Sequence, residues 1–122
     1  MKDINLPSNS KMLAQDFLFG VATSSFQIEG DRKGRLDNIW DTFCEKKGTI
    51  SDSTNGNVAC NHIALWREDV ALIEALGVDA YRLSISWPRV MKQDGTVNEV
   101  GMQFYVNLVN DVIKRGMKVF VT

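Results

Sequence analysis

The sequence predicts an α/β fold in which parallel strands alternate with helices. Three short apolar runs have the length and composition of strands, and two longer segments repeat apolar residues every three or four positions. The predicted order is strand, long loop, helix, strand, helix, strand. Because a helix lies between consecutive strands, we expect the strands to run parallel with right-handed crossovers.

The first part of the chain is predicted to contain a lead-in, a strand and a long connection. Residues 1–16 form a loose lead-in, and residues 17–122 form one domain. The run FLFGVAT, residues 17–23, is predicted to be a buried strand. The following connection, residues 30–61, is rich in Gly, Asp, Asn and Ser, and one short helix is predicted in NIWDTFCEKKG, ending at Gly48. Connections of this length in compact domains are usually functional.

Two longer helices follow, each ended by a glycine. The first covers residues 62–76, with Asn61 as its N-cap and Gly77 as its stop, and the second runs from about Glu99 to Arg115 before Gly116. The predicted apolar stripe of the first helix is Ile63, Trp66, Val70, Ile73 and Leu76. The predicted buried face of the second is Phe104, Leu108, Val109, Val112 and Ile113. MKVFVT, at the end of the chain, is predicted to be the third strand.

The second strand, in VDAYRLSISWP, has an unusual polar face. Apolar side chains alternate there with Arg82, Ser84 and Ser86, until Pro88 interrupts the hydrogen-bonding ladder. A central strand of an open parallel sheet is covered on both faces and is normally apolar throughout. The interior of a (β/α) barrel near its active mouth accepts such a face, so the pattern favours part of a barrel. The alternative is an edge strand with one solvated face.

Composition argues against several classes of function. The 122 residues carry a formal net charge of −1, with 44% hydrophobic and 24% charged residues, so no basic excess indicates a nucleic-acid partner. No apolar run reaches the roughly 18 residues of a membrane helix. The N-terminal stretch is polar and lacks the apolar core of a secretory signal, so we expect a cytoplasmic location.

The cysteine and histidine content does not favour a metal site. Cys44 and Cys60 lack C-x-x-C spacing, and two free thiols in a reducing compartment is the simpler interpretation. His62 is the single histidine, which argues against a zinc site built from several imidazoles.

Four stretches carry a resemblance to a known family. They are FLFGVATSSFQIEGD, DNIWDTF, the segment from GNVACNH to REDVALIEALGVDAYRLSISWPRV, and DGTVNEVGMQFYVNLVNDVIKRGMKVFVT. In this order they resemble glycoside hydrolase family 1, which contains β-glucosidases and β-galactosidases. The resemblance implies an α/β fold that is the N-terminal portion of a (β/α)8 TIM barrel, with about three strands and two main helices. It also implies a retaining β-glycosidase acting on terminal β-D-glycosyl residues.

The resemblance assigns roles to two residues of this chain. Gln27 is expected just past the first strand, where its amide would bind two hydroxyls of the terminal sugar by both donating and accepting. Arg82 is expected beside the nucleophilic glutamate, where a fixed cation favours the ionised carboxylate. Glu29 does not correspond to either catalytic carboxylate of the family, and we expect it to form a structural ion pair with a nearby arginine.

Other residues near these motifs are better explained by structure. The family commonly has Asp-His-Tyr-His where this chain has Asn-His-Ile-Ala, so His62 is expected to be a satisfied or exposed residue at a helix start. We expect Trp66 to be core, Trp87 to pack around the barrel rim and Trp40 to belong to the short helix of the long connection.

The resemblance also shows what this sequence lacks. The family takes its two catalytic glutamates from an Asn-Glu-Pro motif after strand four and a Thr-Glu-Asn-Gly motif on strand seven, and neither motif occurs here. We therefore expect no catalytic residue in this chain and no hydrolysis by the chain alone. The implied substrate of the complete protein is a β-linked glucoside or galactoside, and no cofactor or metal is implied. An N-terminal fragment with open sheet edges would self-associate or bind a complementing C-terminal fragment.

Two other functions remain open from the sequence. One is a non-catalytic α/β subunit or interaction module that completes a barrel with a partner chain. The other is a nucleotide-binding oxidoreductase half, which predicts a Gly-rich turn after the first strand. The turn here is SSFQIEGDRKG, which contains no G-x-G-x-x-G motif.

Overall fold

The computed structural model describes residues 5–122, and the first four residues of the predicted lead-in lie outside this range. It contains one parallel sheet in the order β1-β2-β3, formed by Gly20–Ala22, Ala80–Leu83 and Lys118–Val121. The helices are α1 Ser25–Ile28, α2 Ile39–Glu45, α3 His62–Ala75, α4 Trp87–Val90 and α5 Glu99–Lys114. Short 3-10 turns cover Lys11–Leu13 and Arg32–Gly34. The predicted parallel order is confirmed, whereas the domain boundary at residue 17 stays a prediction.

The strands are shorter than the sequence pattern predicts. β1 begins at Gly20 because only three of its residues, Gly20–Ala22, lie opposite β2, and the predicted strand residues before them are exposed. β2 was predicted to continue to Trp87, but it ends at Leu83. The chain then turns into α4, where Pro88 is acceptable because the first turn of a helix needs no backbone donor.

The helices begin and end close to the predicted positions. The predicted short helix is confirmed as α2, whose start is a capping box between Asn38 and Asp41. α3 does begin after Asn61, but the Asn61 side chain makes no capping hydrogen bond, because its backbone is left-handed with φ 55°. Gly77 and Gly116 follow α3 and α5 with φ of +69° and +85°, a conformation in which a side chain would be strained.

The hydrophobic core lies on one face of the sheet. Tyr81 and Leu83 of β2 point into it, Trp66 and Val70 of α3 cover them, and the predicted core role of Trp66 is confirmed. The buried residues of α5 are Gly101, Tyr105, Leu108 and Val112. The prediction was therefore wrong for Ile113 of α5 and also for Leu76, which follows α3, since these side chains are 56% and 68% exposed.

The buried face of α5 is rotated from the predicted one for a steric reason. Gly101 lies against α4, where an added Cβ would approach the carbonyl oxygen of Arg89 to 2.0 Å. This close approach brings Tyr105, one turn later, into the core, while Phe104 stays half-buried beside it. A hydrophobic pattern alone does not reveal such a backbone contact.

Candidate functional site

Polar residues gather where the chain leaves the carboxyl ends of β1 and β2. Residues 23–31 follow β1 and residues 84–89 follow β2. In parallel α/β sheets this edge is where ligand-binding loops meet. The candidate site is therefore built from these two segments and from the sheet face that no helix within residues 5–122 covers.

Arg82 lies on the uncovered face of the sheet. In register, its neighbours are Ala22 on β1 and Phe120 on β3, and with Gly20 and Ala80 they line a hollow of about 310 Å³. The Arg82 side chain is exposed, and its guanidinium makes no hydrogen bond or ion pair within residues 5–122. The small residues beside it leave room for a ligand or for further protein, and the free cation would attract a carboxylate.

Gln27 lies on α1, the single helical turn after β1, and its side chain is exposed. It lines a second hollow of about 400 Å³, together with Phe26, Trp40 and Asn55. Arg82 is not among the residues of this hollow, so residues 5–122 do not bring Gln27 and Arg82 into one cavity. Their roles at a sugar site stay predictions.

Ser84 and Ser86 do not continue the polar face as the strand pattern predicted. β2 has ended, and the Ser84 hydroxyl accepts the backbone N–H of Ser25 at 2.8 Å, which holds the start of α1. Ser86 is buried, and its backbone N–H donates to the Tyr105 hydroxyl at 2.8 Å. Both serines therefore have structural contacts, and Arg82 alone keeps the predicted orientation toward the open face.

Glu29 forms the structural ion pair that the sequence predicted. The Arg89 Nε donates to Glu29 Oε2 at 2.9 Å, and both side chains are almost fully buried. The Tyr105 hydroxyl donates to the other oxygen, Glu29 Oε1. Burial, reinforced by the charge of Glu29, raises the pKa of Tyr105 far above its ordinary value, so this phenol stays protonated and remains a donor.

A second ion-pair cluster holds the long connection around α2. The Arg35 guanidinium donates to both oxygens of Asp41, at 2.6 and 2.8 Å. Burial would raise the pKa of Asp41, but Arg35 and the backbone N–H of Asn38 together lower it below the ordinary value. Arg35 also lies 5.8 Å from the ring centre of Phe26, which connects this cluster to α1.

The remaining candidates are structural or not assigned. The His62 side chain is buried and its Nδ1 lies 2.6 Å from Asp69, so the expectation of a satisfied helix-start residue is confirmed at that nitrogen, while Nε2 has no partner within residues 5–122. Trp40 belongs to α2 as predicted. Trp87 is 70% exposed, and its packing at a barrel rim stays a prediction.

Within residues 5–122, no group of three His, Cys, Asp or Glu side chains is arranged to hold a metal, and Cys44 and Cys60 are free thiols. None of the helices in the described range is long and apolar enough to cross a bilayer.

The comparisons with known proteins give one consistent result. The family model of glycosyl hydrolase family 1 matches residues 9–122. A β-glucosidase of Agrobacterium sp. is 49% identical over 110 residues, covering 88% of this chain and 24% of that protein. The crystal structure of a β-glucosidase from Exiguobacterium marinum matches with a TM-score of 0.85 and 46% identity, over 88% of this chain and 25% of that one.

A further solved structure contains a substrate analog. The virulence factor SghA from Agrobacterium tumefaciens, in complex with its substrate analog salicin, matches with a TM-score of 0.83 and 50% identity, over 87% of this chain and 24% of that one. This chain therefore spans about a quarter of the length of the proteins that it resembles.

Proposed function

Since this chain belongs to glycosyl hydrolase family 1, we propose that the complete protein containing it is a retaining β-glycosidase that removes terminal β-D-glycosyl residues. The observation that carries the proposal is the match of residues 9–122 to the family, together with close structural agreement with β-glucosidases. The predicted fold, the N-terminal portion of a (β/α)8 barrel, is confirmed by the same agreement.

The uncovered sheet face supports this function. Arg82 is an exposed cation among small residues on that face. In a retaining mechanism one carboxylic acid protonates the leaving oxygen, a second carboxylate attacks the anomeric carbon, and water then hydrolyses the glycosyl-enzyme. By family resemblance both carboxylates come from motifs that these 122 residues lack. Arg82 would stay close to the nucleophile and keep it ionised.

The proposed substrate is a β-linked glucoside or galactoside. Gln27 would bind the terminal sugar because one amide can donate to one hydroxyl and accept from another. The similarity to SghA, which was solved with its substrate analog salicin, and to proteins named β-glucosidases supports this class. Two carboxylates and a water molecule supply all the groups that this hydrolysis needs, so the proposed chemistry requires no cofactor. Because the proposed substrates are sugars, the proposed role is in carbohydrate metabolism.

The function is tested by comparing the full-length protein with the 122-residue chain. Full-length protein should hydrolyse p-nitrophenyl β-glucoside or β-galactoside, with retention of configuration in the first-formed product. The 122-residue chain should give no turnover above buffer, because removal of even one catalytic group costs orders of magnitude in rate. Turnover by the short chain, or inversion by the full-length protein, would contradict the proposal.

The open edges of the sheet motivate a second proposal about partners. In the described part of the chain, β1 and β3 are both edge strands, and Phe120 on β3 is 51% exposed. We propose that the isolated chain either self-associates or binds a fragment comprising the rest of the full-length protein. Size-exclusion chromatography with light scattering should show oligomers of the chain alone and a restored complex with the added fragment. A chain that stays monomeric and does not bind the added fragment would contradict this proposal.

We also propose a cytoplasmic location. Two free thiols, Cys44 and Cys60, fit a reducing compartment. Cell fractionation should recover the full-length protein with cytoplasmic markers, and recovery from the medium or from a membrane fraction would argue against this location.

A further inference from the structure

The turn that carries Gln27 is held at its start by β2. The backbone N–H of Thr23 donates to the carbonyl of Arg82 at 3.0 Å, and the backbone N–H of Ser25 donates to the Ser84 hydroxyl at 2.8 Å. These contacts join α1 to the segment that carries Arg82. α1 is only four residues long, so its own backbone hydrogen bonds cannot fix its orientation.

The end of the same turn is held by Arg89. Besides its bond to Glu29, Arg89 donates from Nη1 to Asp31 Oδ2 at 3.1 Å and from Nη2 to the Gly30 carbonyl at 3.0 Å. One guanidinium therefore contacts three consecutive residues. Gly30 and Asp31 both have left-handed backbones, with φ of 67° and 47°, a conformation that aspartate adopts less readily than glycine and that the Arg89 contacts stabilise here.

Tyr105 holds Glu29 from the opposite side. Its hydroxyl donates to Glu29 and accepts the backbone N–H of Ser86, so it joins α1 and α4 to the long helix α5. Glu29, Arg89 and Tyr105 line neither the hollow of Gln27 nor the hollow of Arg82. Their contacts instead hold the backbone that follows Ile28 at the end of α1.

We infer that Glu29, Arg89 and Tyr105 are positioning residues that fix the amide of Gln27 for sugar binding in the full-length protein. The inference rests on the proposed function and on the predicted role of Gln27. Its physical basis is that misplacement of a binding group by about 1 Å can cost up to about a hundredfold in rate. The cluster holds α1 at its C-terminal end, where Glu29 directly follows Ile28.

A double-mutant cycle in the full-length protein tests this inference. Tyr105→Phe removes one oxygen atom and leaves Arg89 on Glu29, so the protein should fold while α1 loosens. We expect kcat/KM for p-nitrophenyl β-glucoside to fall about fivefold to tenfold in the native background and less than twofold when Gln27→Ala is already present. Equal factors in both backgrounds would show that Tyr105 does not act through Gln27.

A stability control separates positioning from general loosening. Val112 lies on α5 two turns beyond Tyr105 and is fully buried, so Val112→Ala weakens the same helix without touching Glu29. We expect Val112→Ala to lower the thermal midpoint but to leave kcat/KM of the folded enzyme unchanged. A fall equal to that of Tyr105→Phe would overturn the inference.

A second variant and a second readout cover the remaining outcomes. Asp31→Asn weakens an exposed contact of Arg89 and places there a residue that tolerates a left-handed backbone, so this variant should fold. It therefore provides a test even if the Tyr105→Phe variant does not fold. In both variants, amide hydrogen exchange of residues 24–31 should rise at least threefold, and Val112→Ala should leave it unchanged. Faster exchange in a protein without glycosidase activity would refute the proposed function and the sugar role together. Unchanged exchange and unaltered kcat/KM in an active enzyme would refute this inference alone.

Discussion

The two faces of the three-stranded sheet differ in what covers them. On one face, Tyr81 and Leu83 are buried beneath α3 and α5. On the other, Arg82 and Phe120 are exposed beside small residues and no helix of the described range covers them. Because consecutive residues of a strand point to opposite faces, β2 alone separates the two environments. The covered face therefore contains the core that stabilises the fold, and the open face carries the residue to which we propose a role in catalysis.

Two arginines of the segment YRLSISWPR show the same contrast. Arg89 is buried and bonded to Glu29, Asp31 and Gly30, while Arg82 has an exposed and unpaired side chain within residues 5–122. A buried guanidinium with satisfied donors is a structural element, because its charge is already neutralised. An exposed, unpaired one on a sheet face remains available to a substrate or to another carboxylate. The position on the fold, and not the residue type, separates the two roles.

The largest expected effect is the loss of stability when the covered face is truncated. Leu83→Ala in the full-length protein removes a fully packed side chain and should lower the free energy of unfolding by about 2–5 kcal/mol. Urea unfolding measures the loss, and kcat/KM per folded molecule should stay native because Leu83 points away from the open face. A loss below about 1 kcal/mol would mean that this face is not the main core.

The next effect is expected from Arg82, the residue before Leu83, where a substitution should lower activity more than stability. Arg82→Met in the full-length protein should cost less stability than Leu83→Ala, because the Arg82 side chain makes no hydrogen bond or ion pair within residues 5–122. It should lower kcat/KM about tenfold to a hundredfold, equivalent to about 1.4–2.7 kcal/mol. Steady-state kinetics on p-nitrophenyl β-glucoside, beside an unfolding curve, measures both quantities.

The pH profile of Arg82→Met gives a further check on the same role. A nearby cation lowers the pKa of a carboxyl group, so its removal should raise the nucleophile's pKa and move the acidic limb of kcat/KM upward by about one pH unit or more. A reduced rate with an unmoved acidic limb would assign Arg82 to substrate binding instead.

Local sequence patterns were sufficient for the order of the three strands, for helices α2, α3 and α5, and for the orientation of β2, but they did not predict α1 or α4. The alternation of Tyr81, Arg82 and Leu83 predicts correctly which side chains are covered, and Gly77 and Gly116 predict where two helices stop. These features depend on neighbouring residues only. A glycine that ends a helix, or side chains that alternate with a period of two along a strand, can be recognised without knowing which distant residues pack nearby.

Contacts between segments far apart in the sequence could not be predicted from local patterns. Glu29 was expected to pair with an arginine, but its second partner, Tyr105, is 76 residues away and was missed. The only sequence signal was a tyrosine next to Phe104, at the start of the predicted apolar face of α5, and a tyrosine there is also compatible with simple packing. Ser84 was assigned to the open face because strand alternation cannot foresee that β2 ends at Leu83. The separation of Gln27 from Arg82 likewise depends on a turn that leaves no periodic pattern.

The smallest expected effect concerns a charge that lies on neither face of the sheet. The Arg32 side chain bonds the exposed Asp37 at 2.7 Å and thereby lowers the pKa of its carboxyl group. A carboxyl group with a depressed pKa stabilises the folded protein above its unfolded pKa of about 3.9, and this contribution is lost as the pH falls through the folded value. Asp37→Asn should therefore flatten the acid side of the stability curve slightly, and high salt should remove the difference because the pair is solvated. Thermal midpoints between about pH 3 and pH 6, with and without about 0.5 M salt, measure it. If Asp37→Asn were as destabilising as Leu83→Ala, exposed loop charges would share the role that the comparison assigns to the covered face.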